Sequence, residues 1–364
     1  MPFSILINDF FLDDLDLDFL DEPDFAFLLI FFAIKEKPER HIINISRKFF
    51  RVRTFGPHTG KIKGINKRPD YLFGMPSIRI KKFNLKDTLD SGQLFRYWPH
   101  EDGYLIGQRG SLFFVRQERD KIEFEGCKRG YLTEFLGLND PIEETLKDLR
   151  EHTHIIKAAK AYPGIRLLNQ DPWECLIGFI CSSASNIPKI KRNMDGMSKL
   201  FGRQLRARGA ERHSFPDPGG INDLEKIKST GTGFRAKFIH GANKMVTDDW
   251  LSSLKKKPYF DAKKDLMTIP GVGSKISDCI LLFSLGFREP FPVDVWIQRA
   301  MNEMYPQTKG MGPKNIEVFG RGLFGKNAGY AQQYIYHWRR NQKEEPTTPS
   351  LTGHAHRRNI YIIA

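Results

Sequence analysis

Lys275 and Asp294 are the two side chains in this sequence best placed for covalent chemistry, because each sits at the start of a helix. The stretch Leu266 to Arg299 reads LMTIPGVGSKISDCILLFSLGFREPFPVDVWIQR. Pro270 ends one helix, Gly271 and Gly273 permit a tight turn, and Ser274 to Leu285 starts the next. Lys275 therefore falls in a first helical turn, where the macrodipole opposes a positive charge. A helix built only for stability would carry an acid there, so the lysine reads as an amine wanted partly neutral, as a Schiff-base nucleophile must be. The plainer reading is a lysine that contacts phosphate or solvent. Asp294, in FPVDVWIQRA, follows an extended Pro-Val and precedes helical spacing, which makes it an N-cap. A capping carboxylate that faces the hairpin can also stand near Lys275. In cleavage of a bond to a sugar, the anion would stabilise an oxocarbenium-like centre and the amine would capture the anomeric carbon.

The hairpin around Gly271, Gly273 and Ser274 leaves N–H groups unpaired at a helix N-terminus, a site for a phosphate oxygen with no base preference. Many helix-helix turns look similar, so the turn alone also fits a purely structural role. Cys279 lies one turn beyond Lys275 and reads as a small packing residue, while Ile276, Ile280 and Phe283 are expected to face the core.

Charge points to the partner. The 364 residues carry 57 Lys and Arg against 43 Asp and Glu, a net +14, which favours nucleic acid first and an acidic membrane surface second. Residues 1 to 34 hold eight acids and no Lys or Arg, so the remainder is more basic still. Four scattered cysteines, Cys127, Cys175, Cys181 and Cys279, make neither a disulfide framework nor a C-x-x-C pair, which argues for a reducing intracellular setting without zinc or an iron–sulfur cluster. The longest apolar run, Phe25 to Ile34, is about half of a membrane span and follows acids rather than the basic start of a secretory signal. The expectation is a soluble, monomeric protein, free of membrane, with no metal and no cofactor.

The elements that must hold the chemistry fall into an α+β, mainly helical arrangement. Residues 1–75 are an acidic and then basic extension, expected to be poorly ordered or to precede the working start. Over residues 76–140 short alternating runs (IRIKKF, GYLIGQR, SLFFVRQ, KIEFEG) predict a small antiparallel β-lobe. Residues 141–341 predict a helical domain, with helices at Ile142 to His152, Pro172 to Ile180, Ile187 to Phe201, Asn222 to Ile227, Phe234 to Trp250, Lys275 to Leu285, Val295 to Met304 and Ala328 to Arg340. Gln204 to Gly220, rich in Arg, Gly and Pro, reads as a linker, and residues 342–364 as a frayed tail.

Six segments in order, SGQLFRYW (Ser91 to Trp98), IRLLNQDPWECLIGFICSS (Ile165 to Ser183), TGFRAKFI (Thr232 to Ile239), IPGVGSKISDCI, PVDVW and AGYAQ (Ala328 to Gln332), resemble the 8-oxoguanine DNA glycosylase family of the helix-hairpin-helix superfamily. The resemblance runs from about Ser77 to Asn341. It implies a small antiparallel β N-terminal lobe followed by a helix-hairpin-helix glycosylase domain. It also implies excision of 8-oxoguanine from duplex DNA in base-excision repair, with strand nicking through a lysine Schiff base. By resemblance Lys275 is the nucleophile and Asp294 the assisting carboxylate. Gly92 would accept, through its carbonyl, the proton on N7 of the oxidised purine; unmodified guanine has a bare acceptor there and would set lone pair against lone pair. Gln332 matches the reader of the Watson–Crick edge, and Cys279 and Tyr336 the two sides of the stacking slot, with Tyr336 adding a hydroxyl to the family's aromatic ring.

The nucleotide must be extruded from the duplex and the gap filled. Arg235 is retained for the opposite strand. Where relatives carry an Asn pair followed by Arg, this sequence has Ala184, Ser185 and Lys189, with Asn186 as a partial substitute; this weakens the expected preference for an opposite cytosine. Trp296 stands where many relatives have a phosphate-binding His. Two rival readings stay open on the residues: a monofunctional glycosylase for another damaged base, which needs Asp294 but no amine, and a DNA-binding module without chemistry.

Overall fold

The computed structural model describes residues 41–46, 49–54 and 75–342. Strands β1 (His41–Ser46) and β2 (Phe49–Thr54) pair antiparallel, with Ile43 opposite Val52, as a hairpin within a unit of its own. They lie inside the stretch expected to be poorly ordered; the rest of that extension, and the tail beyond Gln342, fall outside the described residues.

A second unit holds everything else described. It begins with β3 (Ser77–Arg79), passes through α1 (Leu85–Asp90), and continues as β4 (Tyr97–His100), β5 (Gly103–Gln108), β6 (Ser111–Glu118) and β7 (Lys121–Glu125). The five strands form one antiparallel sheet in the order β3-β7-β6-β5-β4. In the register of the sheet Ile106 pairs with Phe113 and Val115 with Phe124; all four are buried, and so are Leu105 and Phe114, which point to the opposite face. Leu85, Leu89, Leu132 and Phe135 close over this face from α1 and from α2 (Arg129–Phe135). The alternating runs predict the sheet but not α1, whose single N-terminal cap, Asn84 accepting from the Asp87 amide at 2.9 Å, is its main local signal.

Helices follow: α3 (Ile142–Asp148), α4 (Thr153–Ala161), α5 (Pro172–Ser182) and α6 (Ile187–Phe201). The expected linker at Gln204 to Gly220 is instead a hairpin, β8 (Gln204–Ala207) against β9 (Ala210–His213). Its turn uses Arg208 and Gly209, both at positive φ, which explains how a Gly- and Arg-rich stretch can be ordered. Next come α7 (Leu224–Ile227), α8 (Arg235–Met245) and α9 (Asp248–Leu254), so the helix expected over Phe234 to Trp250 breaks at Val246, where Thr247 caps the next start. The remaining helices are α10 (Tyr259–Leu266), α11 (Ser274–Ser284), α12 (Val295–Met304), α13 (Pro313–Phe324) and α14 (Ala328–Asn341). Helix α11 runs through the larger core, buried on almost every side and packed against α5 and α10.

Beneath the start of α11 lies a buried ionic cluster. Lys263 on α10 donates to Asp278 on α11 at 2.9 Å, to the Tyr259 hydroxyl at 3.1 Å and to Glu317 on α13. Glu317 also accepts from the Ser274 hydroxyl at 2.6 Å. Burial pushes the Asp278 carboxyl up to about 6, against the pull of Lys263. One ammonium between two carboxylates thus ties three helices under the hairpin. Removing it alone leaves buried anions uncompensated, so Lys263→Met is expected to lower unfolding stability by about 3–5 kcal/mol. Urea unfolding checks this; the triple change Lys263→Met, Asp278→Asn, Glu317→Gln should recover a large part of the loss.

Candidate active site

The hairpin places the lysine. Gly271 turns the chain at φ +81°, where a Cβ would also strike the Phe238 ring at 2.6 Å, and Val272 tucks into the core. Gly273 is the N-cap of α11 and makes no side-chain cap, so the first N–H groups of the helix are left without one; nothing lies within 4 Å of where its Cβ would stand. Ser274, expected to face phosphate, instead turns its hydroxyl inward to Glu317. Lys275, the second residue of α11, donates from Nζ to the Ser182 hydroxyl at 3.2 Å and lies 5.4 Å from the Phe179 ring centroid. Ser182 spends its own proton on the Phe179 carbonyl at 2.7 Å, so its oxygen is free to accept.

Asp294 is the N-cap of α12, accepting from the Ile297 amide at 2.9 Å. It is buried, and burial raises its carboxyl above the usual range; Lys275 and the amides of Ile297, Trp296 and Asp294 itself pull the other way. Lys275 and Asp294 line one cavity together with Gly92, Cys279, Gln332 and Tyr336. All the residues expected to catalyse or to hold the base therefore converge. The cavity's free volume is about 40 Å³.

Gly92 sits at φ +80°, with Tyr336 so close that a Cβ would meet its ring at 2.8 Å. The buried Gln93 fixes it: its amide nitrogen donates to the Arg166 carbonyl at 2.8 Å and its amide oxygen accepts from the Leu168 amide at 2.8 Å. Helix α14 grips the same segment, Gln333 donating to the Ser91 carbonyl at 2.7 Å. Gln332, one residue earlier, donates to the Pro292 carbonyl at 3.2 Å, which leaves its buried amide oxygen without a partner among the described residues. Phe283, expected in the core, lines the cavity and stacks on Phe179, ring centroids 5.6 Å apart. Ser182, Phe179 and Phe283 do not stand out in the sequence as site residues, because hydroxyl and phenyl groups at helical spacing look like ordinary packing.

The expected DNA-contacting residues divide. Arg235 is buried and donates to the carbonyls of Ser183 at 2.5 Å, Ala184 at 2.6 Å and Thr232 at 3.0 Å, so it braces the loop before α6. Asn186 is the exposed N-cap of α6, accepting from the Lys189 amide at 3.0 Å. Lys189 lies half-buried in the first turn of α6. Ala184 holds φ +45°, a region that favours Asn over Ala. Phe234, beside Arg235, is 58% exposed, an aromatic on this surface that the sequence reading did not single out. Arg299 approaches the Trp296 ring, 6.0 Å from its centroid.

Residues 77–176 match the family model for the 8-oxoguanine DNA glycosylase N-terminal domain. A curated N-glycosylase/DNA lyase from Saccharomyces cerevisiae is 30% identical over 65% of this chain and 72% of its own length. The chain belongs to the 8-oxoguanine DNA glycosylase family. A probable N-glycosylase/DNA lyase from Methanothermobacter thermautotrophicus is 31% identical over 49% of the chain; the chain spans 64% of that relative's length. The Clostridium acetobutylicum 8-oxoguanine glycosylase/lyase, solved with duplex DNA containing cytosine opposite 8-oxoguanine, is 28% identical with a TM-score of 0.68, covering 73% of this chain and 98% of that one. This glycosylase fold carries no helix long and apolar enough to cross a membrane among the described residues.

In this family member burial pushes the Cys279 thiol up to about 12, which keeps it protonated and unreactive at neutral pH. Alkylation by iodoacetamide at pH 8, read by mass spectrometry, is expected to leave Cys279 unmodified in the native protein and to label it once denaturant is added.

Proposed function

We propose that this protein is an intracellular, monomeric bifunctional DNA glycosylase/AP lyase that excises 8-oxoguanine from duplex DNA in base-excision repair, through a Schiff base on Lys275. The β-lobe of residues 76–140 and the helical residues 141–341 would act together around one lesion site. The observation that carries the reading is the convergence of an amine, a buried carboxylate and the base-holding residues on a single cavity.

The Asp294 carboxylate supports the positive charge that develops on the deoxyribose as the bond from C1′ to the base breaks, the base leaving with the bonding pair and taking up a proton. Lys275 gives its lone pair to C1′ and loses a proton; its raised affinity for protons makes Asp294 a competent acceptor. Opening of the sugar ring at O4′ yields the imine, and removal of a C2′ proton expels the 3′ phosphate. The acceptance from Lys275 by Ser182 orients the amine. The unpaired oxygen of Gln332 suits the N1–H and amino group of an oxidised guanine, and the Gly92 carbonyl its N7–H. The uncapped N-terminus of α11 takes a backbone phosphate, and the exposed Phe234 ring is suited to fill the gap in the stack.

Borohydride should trap a covalent complex of the protein with an 8-oxoguanine duplex and not with a uracil duplex, and Lys275→Gln should give none while remaining folded. An adduct that persists in Lys275→Gln, or its absence in the native protein, refutes the lysine mechanism; base release without nicking would leave the monofunctional reading standing.

Because Asp294 must be ionised and burial holds its carboxyl above the usual aspartate range, single-turnover excision should fall on the acid side with a midpoint above that range. Asp294→Asn should lose on the order of 100-fold or more at neutral pH. Ala184 and Ser185 stand where relatives have Asn, so the preference for an opposite cytosine should be shallow. The double change Ala184→Asn, Ser185→Asn, the first into a backbone Asn favours, should steepen it in excision assays opposite C, A, G and T.

A further inference from the structure

Arg340 lies at the far end of α14 from the catalytic pair, yet it reaches the Gly92 wall of the cavity. Its Nη2 donates to the Asp90 carbonyl at 2.8 Å, two residues before Gly92. Its Nη1 is buried, and of its two N–H groups the neighbouring Tyr336 hydroxyl accepts at most one, which leaves the other without an acceptor among the described residues. That nitrogen stands 3.2 Å from where a Cβ on Gly92 would be, and the Tyr336 hydroxyl stands 2.9 Å from the same point. The guanidinium carbon lies 5.6 Å from the Tyr336 ring centroid. A buried guanidinium N–H without an acceptor is costly, so a site that keeps one beside a ligand cavity implies an acceptor that arrives with the ligand.

We propose that Arg340, assisted by the Tyr336 hydroxyl, is a specificity-determining residue that donates a hydrogen bond to the carbonyl oxygen on C8 of the oxidised purine. The inference rests on the reading above, in which the Gly92 carbonyl receives the N7–H. N7 and C8 are neighbours in the five-membered ring, so a donor placed against Gly92 on one side of that contact is next to the C8 oxygen. Unmodified guanine offers no oxygen at C8, and would leave the N–H unpaired as well as set the Gly92 carbonyl against a bare N7. Two penalties in series would then exclude the normal base, one through an acceptor and one through a donor. The Tyr336 hydroxyl belongs to the same device, since a phenyl ring there would stack equally well and offer no polar group to the wall.

The test compares 8-oxoguanine with 8-thioguanine in otherwise identical duplexes; both present N7–H, but sulfur is a poor hydrogen-bond acceptor. Single-turnover excision is measured for the native protein, Arg340→Met and Tyr336→Phe, with thermal melting to confirm that each variant is folded. The native protein should excise 8-oxoguanine about 10-fold or more faster than 8-thioguanine. Arg340→Met should lose that factor on 8-oxoguanine and change little on 8-thioguanine, so that discrimination collapses; Tyr336→Phe should move the same way by less. Equal losses on both bases would mean that Arg340 only braces Asp90 or contacts a phosphate, and no loss on either would mean that the donor is unused. Both results overturn the proposal. Failure of the native protein to release either base would instead overturn the glycosylase reading on which it rests.

Discussion

Keeping a carboxylate ionised inside a protein is the constraint on which this site turns. Asp294 is buried, and burial alone would neutralise it; three backbone amides at the start of α12 and the amine of Lys275 act against that. The capping role that the sequence shows is therefore the same interaction that opposes the effect of burial on the carboxyl. Lys275 stands at the opposite electrostatic extreme, a cation in the first turn of α11, where the helix itself gives it no support. Two helix starts thus bring an amine and a carboxylate to one cavity.

Such a balance holds only if the two helix starts cannot drift apart. The hairpin end is fixed from below by Lys263, Asp278 and Glu317, whose mutual attraction is bought with buried charge and which reaches the residue before Lys275 through Ser274. The base-holding wall is fixed from the other side. Gln93 pins the chain after Gly92 to the segment from Arg166 to Leu168, while Gln333 and Arg340 pin the chain before it to α14. Gln332 and Tyr336 ride on that same helix, one turn apart, so the side chains that line the cavity and those that hold Gly92 are carried by one element.

What the residues disclosed in advance follows from how local each signal is. The hairpin, the two capped helix starts and the alternating strands depend on neighbours in sequence, and Lys275, Asp294 and the sheet could be found there. Gly92, Cys279, Gln332 and Tyr336 entered through a family resemblance, and the shared cavity gives that carry-over a geometric basis. The features that escaped are non-local. Ser182 accepts from a lysine 93 positions away, and the order of the Gln204 to His213 hairpin depends partly on Arg208 reaching Glu101 and Glu125 on the sheet. Arg235 shows the converse: its type and motif suggested a strand-contacting residue, but three carbonyl acceptors claim its guanidinium.

The loop before α6 shows how such bracing shapes specificity. Arg235 holds the Ser183 and Ala184 carbonyls, which fixes Ala184 at positive φ whatever side chain it bears. An asparagine there would satisfy the backbone and project a polar group; alanine accepts the strain and projects a methyl. On the proposed function, the backbone that would present an opposite-strand reader is braced while the side chain at 184 carries no hydrogen-bonding group. Exposed Asn186 uses its side-chain oxygen to cap α6 through the Lys189 amide, and its side-chain nitrogen takes no part in that cap. On the proposed function, selectivity would accordingly be concentrated on the cavity wall where Gly92, Gln332 and Tyr336 meet rather than on the opposite base.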